Sequence, residues 1–373
     1  MGGQGDRLLQ ALRYLHEHQF DALIAASDGM NSFLESNAVY VLGHVRPIGE
    51  SLLLLDREGR STLVVTPAWD VGRAAAQSST ENTVGTDDLA AALADALKVR
   101  RPDPGKIVSV GLSLLGQALV DRITAVLGAR PTAADDLGRD LARIRTSDEI
   151  AAAKHANSIA ERGYQRLLEV ARPGMREFEL AAELYCFMKR LGAEDNFLLM
   201  SASQHNLAVR AAGERVLDVG DIILSEITPC YRGQFVQICR TTVIGEPRPV
   251  LREKYAVLQD AMRQGLACGR SGAKVAEVTR AMNDVFKKAG YSEYCRPPYM
   301  RVRGHGLGVT SSRPGDIVED NDRILETGMV FVMHPNQYLP ETGYLMCGDT
   351  VMVGDVGAKS LSRDVASLDF IPV

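Results

Sequence analysis

The second half of the chain contains a repeat. Arg172-Pro-Gly174 through Gly192 and Arg270-Ser-Gly272 through Gly290 align at an offset of 270 − 172 = 98 residues. Arg172/Arg270, Gly174/Gly272, Glu179/Glu277, Lys189/Lys287 and Gly192/Gly290 coincide. Each copy follows a segment with helical apolar spacing, residues 154–171 and 252–269. Each is followed by the same strand signature: Gly220-Asp-Ile-Ile-Leu-Ser-Glu226 and Gly328-Met-Val-Phe-Val-Met-His334. A helix–helix–sheet unit cannot bury its sheet alone, so two copies are expected to pack face to face about a pseudo-twofold axis. Glu226 and His334 would then enter one central cavity, where ligand sites gather convergent polar groups.

The first part of the chain reads differently. Residues 7–18 carry Leu8, Leu9, Leu12 and Leu15 at helical spacing. Short apolar runs at 21–26, 39–42, 51–55 and 61–66 predict strands, and 87–99 predicts a helix closed by Pro102, Pro104 and Gly105. One more strand–helix unit follows at 107–112 and 114–127. This alternation predicts a small α/β domain over residues 1–140. A helix opening with Thr146-Ser-Asp-Glu149, the spacing of a capping box, starts the α+β domain over 141–373. The 373 residues carry 46% apolar and 24% charged side chains and a net charge of −5, so nothing suggests a nucleic-acid or anionic-membrane footprint. No apolar run has the roughly 18–20 residues that cross a bilayer. Six scattered cysteines (186, 230, 239, 268, 295, 347) without CxxC spacing, and no signal-peptide core, point to reduced thiols in the cytoplasm.

Several motifs carry a family resemblance. They are Ser36-Asn-Ala-Val-Tyr-Val-Leu-Gly43, Arg143-Ile-Arg-Thr-Ser-Asp-Glu-Ile150, Arg303-Gly-His-Gly-Leu-Gly308, Cys239-Arg-Thr-Thr242, Gly348-Asp-Thr-Val351 and the two strand signatures. Together they resemble the creatinase, aminopeptidase P and prolidase superfamily over nearly the whole chain. The resemblance implies the pita-bread fold, a creatinase-type N-terminal domain and a homodimer. The metallopeptidases of that superfamily hold two divalent ions with two Asp, one His and two Glu. On the matching positions this chain has Glu226, Gln237, His305, His334 and Gly348, and Ser312 where a second catalytic His of the peptidases stands. One anionic ligand of four remains, so an ordinary dinuclear centre is not expected.

Two enzymatic readings follow. The first is creatinase-like hydrolysis of a C–N bond in a small, carboxylate-bearing amino-acid derivative, with no metal cofactor. The resemblance makes His205 the proton shuttle, though about four residues further from the strand than in creatinase, with Glu226, His305 and His334 polarising the substrate. It makes Arg46 the carboxylate holder, reaching into the partner subunit's site. Gln237, Cys239, Cys347 and Ser312 complete the substrate contacts, the two cysteines standing where creatinase grips a guanidinium with glutamates. The second reading is a mononuclear zinc or iron site built from Glu226, His305 and His334. A third, non-enzymatic reading is a binding protein derived from the peptidase scaffold. Its cavity would be filled, whereas His, Gln and Cys are reactive replacements.

Overall fold

In the first unit, apolar residues alternate between two faces of one sheet. The computed structural model describes residues 5–30, 37–309, 312–363 and 366–373. It forms two compact units, Met1–Ser147 with Val309–Ser312, and Asp148–Gly308 with Arg313–Val373. The first holds a six-stranded sheet in the order Asn82–Gly85, Ser61–Val65, Ser51–Asp56, Ala22–Ser27, Ile107–Val110, Thr132–Ala133. Ala22–Ser27 runs antiparallel to Ser51–Asp56 and parallel to Ile107–Val110. Leu23, Ala25, Leu53 and Leu55 pack on one side with Leu15 and Val41. Ile24, Leu52 and Leu54 pack on the other with Leu93 and Ile123. Burial on both faces is why these strands read as unbroken apolar runs rather than alternating ones.

One expectation fails here. Residues 39–42 lie in a helix, Ala38–Gly43, not a strand. Asn37 caps it, its side chain accepting from the Tyr40 N–H at 3.2 Å, and His44 closes it at φ 58°. A short apolar run cannot itself tell strand from helix; the Asn cap was the deciding signal. Of the motif that begins at Ser36, that residue lies outside the described ones.

The second unit shows the repeat. Helices Ser147–Val170 and Glu177–Arg190 precede strands Asp195–Ser203, Ile222–Tyr231 and Ile238–Ile244. Helices Pro249–Cys268 and Val275–Lys288 precede strands Gly304–Gly306, Val330–Met333 and Asp349–Val353. The coincident glycines have a common cause. Gly174 and Gly272 sit at φ 88° and 84°, Gly192 and Gly290 at 94° and 91°, Gly220 and Gly328 at 86° and 89°. Each of these is a left-handed turn that a side chain would strain. Glu179 and Glu277 start the second helix of each half alike, accepting from the backbone N–H of Arg176 at 2.7 Å and of Lys274 at 3.1 Å. No helix among the described residues is long and apolar enough to cross a membrane.

Strand register decides which residues face inward. In the first half, Met200, Ile223, Ile227 and Ile238 join the cluster of Ile159, Leu180 and Leu184 from the helices. That leaves the alternate positions, among them 226, 237 and 239, on the opposite, inner face. In the second half Met333 packs on the helix: a Cβ added at Gly265 would meet its sulfur at 2.7 Å. Val332 and His334 therefore turn inward.

Candidate functional site

Register gathers the inner residues of both halves. Glu226 and Cys239 are direct cross-strand partners, and Cys239 is bridged to Gly348. The Cys239 N–H donates to the Gly348 carbonyl at 2.9 Å, and the Gly348 N–H donates back at 3.1 Å. His305 pairs with Val332, two residues before His334, and the His305 and His334 rings meet edge to face at 5.6 Å. Thr350 joins the halves again, its Oγ1 accepting from the Gln237 N–H at 2.7 Å and donating to the Gln237 carbonyl at 3.1 Å. Glu226, Gln237, Cys239, His305 and His334 thus share one face.

Burial sets their chemistry. Desolvation pushes Glu226 up to about 7, opposed by the positive charge of Arg301. The same cause holds His334 down to about 3, helped by His305, and lowers His305, which the Gly306 carbonyl partly offsets. Both imidazoles are therefore neutral at pH 7. His305 Nδ1 lies 3.0 Å from the Gly306 carbonyl. A carbonyl only accepts, so Nδ1 carries the hydrogen and Nε2 is left as a base. Burial, then the adjacent Glu226, drive the Cys239 thiol well up, which keeps it protonated and a poor nucleophile. Gln237 Nε2 donates to its sulfur at 3.5 Å. Among the described residues, three polar groups on this face have no hydrogen-bond partner. Gln237 Oε1 and His334 Nδ1 are buried without a hydrogen bond, and the Glu226 carboxyl makes none among the described residues while keeping some exposure.

The other expected residues lie elsewhere. Cys347 is next to the bridging Gly348, so it points to the opposite face, near Asp349, Arg240 and Tyr255, where burial pushes it up to about 12. The two cysteines do not form a common substrate surface, and all six cysteines are free thiols. Ser312 is buried in the first unit and accepts from Arg145 Nη2 at 2.8 Å. Arg46 also belongs to the first unit, where its carbonyl accepts from Arg73 Nη2 at 3.1 Å. His205 is exposed on the loop after Asp195–Ser203, its Nε2 3.3 Å from the Tyr338 hydroxyl. Reasoning from the sequence missed Asn336, whose Oδ1 accepts from the Cys347 N–H at 2.9 Å and whose side chain also bonds Cys239 and Tyr344. Its place two residues after His334 was the available signal. It also missed Arg301, whose charge acts on Glu226, His305 and His334 alike.

The comparisons agree with this architecture. The model of metallopeptidase family M24 matches residues 151–355. The Xaa-Pro dipeptidase of Pyrococcus furiosus is 29% identical over 61% of this chain; the match spans 66% of that relative, just under two thirds of its length. A probable dipeptidase PepE of Mycobacterium tuberculosis is 30% identical over 73% of this chain and 75% of its own. The solved prolidase of Pyrococcus horikoshii superposes with a TM-score of 0.84, covering 97% of this chain and 99% of its own at 21% identity, which shows the shared pita-bread fold.

These matches correct two expectations. The reading without a cofactor is overturned, because M24 is a metallopeptidase family whose prolidases typically hold two metal ions. The metal-independent, creatinase-like reading finds no support among relatives named as dipeptidases. The residues present nevertheless do not fit the family's pair of ions. Glu226 is the one carboxylate at the five matching positions. A Cβ at Gly348 would lie 2.5 Å from the Cβ of His334 and 2.8 Å from the Met333 carbonyl, so with the backbone as it stands no carboxylate-bearing residue fits at that position. No group of three or more His, Cys, Asp or Glu among the described residues is arranged to hold a metal, Glu226, His305 and His334 included. In fold, in motif order and in a family match covering more than half its length, the chain belongs to metallopeptidase family M24.

Proposed function

We propose that the chain is a hydrolase that cleaves a C–N bond in a small, carboxylate-bearing amino-acid derivative of the dipeptide type. The observation that carries this is the unpartnered trio on one inner face: the Glu226 carboxyl, Gln237 Oε1 and His334 Nδ1. Buried polar atoms are nearly always hydrogen-bonded, so a cluster left open marks where a ligand bonds. The relatives act on the same type of bond by name.

Hydrolysis adds water across the bond, so the site must take one proton and deliver another. Neutral His305, with Nδ1–H held by the Gly306 carbonyl, offers Nε2 to accept a proton. Glu226, about half protonated near pH 7, can deliver one to the leaving nitrogen. His334 and Gln237 supply hydrogen bonds that orient the scissile amide. His205, exposed beside Tyr338, serves the rim rather than the reacting bond. The expectations of a homodimer and a cytoplasmic location remain with this reading; sedimentation equilibrium tests the first.

The test is turnover of glycyl-proline and of N-acetylated amino acids by full-length protein, compared with Glu226→Gln and His334→Gln. Each substitution should lower kcat/KM by about 100-fold or more, the scale of a lost acid–base group. Full activity in both variants would falsify the assignment.

A further inference from the structure

A groove on the outer side of the second unit has its own chemistry. Helix Ser147–Val170 turns Ile159 and Ala160 into the core behind the strands of the first half. Lys154, Ser158, Arg162 and Gln165, spaced by three or four residues, lie on its exposed face. Strand Ala358–Ser360 pairs with Asp349–Val353 and sets Lys359 opposite Met352, so both leave the same face of that pair. Helix and strands line a cavity of about 730 Å³, together with Arg363. Two bonds fasten its walls: the Arg363 N–H donates to Glu161 Oε1 at 3.0 Å, and the Asn157 amide donates to Ser362 Oγ at 3.2 Å.

Charge sets this cavity apart. In a chain of net charge −5, the cations Lys154, Arg162, Lys359 and Arg363 line it with one carboxylate, Glu161, already engaged by the Arg363 N–H. Among the described residues none of the four cationic groups forms an ion pair; Arg162 meets the Phe187 ring at 6.0 Å. Two other cavities show the ordinary arrangement. Arg60 and Arg100 in one pair with Asp56 at 2.8 and 3.1 Å, and Arg166 in the other pairs with Glu169 and Glu183 at 3.2 Å each. Cations gathered around one hollow repel one another, a cost that a bound anion would offset. Ser158 and Gln165 add neutral donors, and the half-buried Met352 and Leu361 give the cavity an apolar part.

We propose that this groove binds a small phosphorylated molecule, its phosphate oxygens held by Lys154, Arg162, Lys359 and Arg363 and its apolar body lying on Met352 and Leu361. A carboxylate brings one charge and two oxygens to four cations, whereas a diphosphate brings more of both. The volume is that of a small-molecule site rather than of a polymer track. The groove shares no residue with the inner face, so it stands whatever reaction that face performs.

The test is calorimetric binding of three probes to full-length protein: ADP, adenosine and inorganic pyrophosphate. ADP should bind about tenfold more tightly than either of the others, and its affinity should fall as salt is raised, because the cations are exposed. Lys154→Gln combined with Lys359→Gln should weaken ADP by about tenfold. Both lysines are exposed, so the variant should fold, and its Tm checks this. Arg60→Gln, in a groove whose cations are paired, should leave ADP affinity unchanged, and so should Glu226→Gln. ADP binding that survives the double substitution, adenosine binding as tightly as ADP, or no binding of either phosphate probe would overturn the site. Loss of ADP binding in Glu226→Gln would move the phosphate to the inner face and overturn it too. Pyrophosphate binding as tightly as ADP would overturn the part given to Met352 and Leu361.

Discussion

The two halves of the second unit share a scaffold and differ in what they point inward. Both use paired helices, left-handed glycines at 174/272, 192/290 and 220/328, and a glutamate that bonds back to the helix start. The first half contributes a carboxyl, an amide and a thiol (Glu226, Gln237, Cys239); the second contributes two imidazoles and a glycine (His305, His334, Gly348). The two halves share backbone geometry where φ leaves no choice, and they differ in the side chains of the inner face. His334 and Gly348 illustrate the coupling. A Cβ on residue 348 would stand 2.5 Å from the Cβ of His334, so the two strands approach this closely only because residue 348 has no side chain.

If the site works as one unit drawn from both halves, its members cannot contribute independently. Glu226→Gln combined with His334→Gln should then cost little more than either alone, rather than the product of the two losses. Single-turnover rates of the four proteins check this, and multiplicative losses would break the site into two separate functions.

The buried carboxyl sharpens the contrast through stability. The folded pKa of Glu226, about 7, lies above the usual 4.5, so between those pH values the native state binds more protons than the unfolded one. Stability from this group is therefore lost as pH rises from about 4.5 to 7, by up to roughly 3 kcal/mol. Glu226→Gln should be stabilising at pH 8 and near neutral at pH 5, as read by urea unfolding at both. His334 has the opposite sign. Its folded pKa, about 3, lies below the usual 6.5, so its contribution is lost as pH falls through that window.

A smaller effect tests the scaffold. A Cβ at Gly163 would meet the Met188 sulfur at 2.8 Å, whereas one at Gly265 would meet two, those of Met333 at 2.7 Å and Met282 at 2.9 Å. Gly265→Ala should destabilise by about 1–2 kcal/mol. Gly163→Ala should be closer to neutral, since one flexible thioether can move and alanine gains helix propensity. Equal thermal midpoints would mean the halves pack alike despite the extra methionine.

The repeat was legible because its glycines answer to φ, a local property that one sequence can betray. The apolar strands of the first unit were legible too, except at 39–42, where the run was too short for its period to speak. The site was legible only in part. Glu226 and His334 end their strand signatures and His305 stands between glycines, and strand register sets all three on the inner face. Cys347 was grouped with Cys239 by motif position, yet the bridge falls on Gly348, and a one-residue step in a strand reverses the face. Arg301 and the basic groove carried no signal, since residues 154, 162, 359 and 363, like 301 and 334, are neighbours only through pairing and packing.

By itself, then, the sequence determined the duplicated scaffold, the alternating first unit and the residue types available for chemistry, all of which depend on local backbone preference and apolar period. The tertiary structure decided which of those residues share a face, which polar atoms are left without partners, and where the unpaired cations of the outer groove stand. Those depend on strand register and burial, which are set by contacts between distant segments.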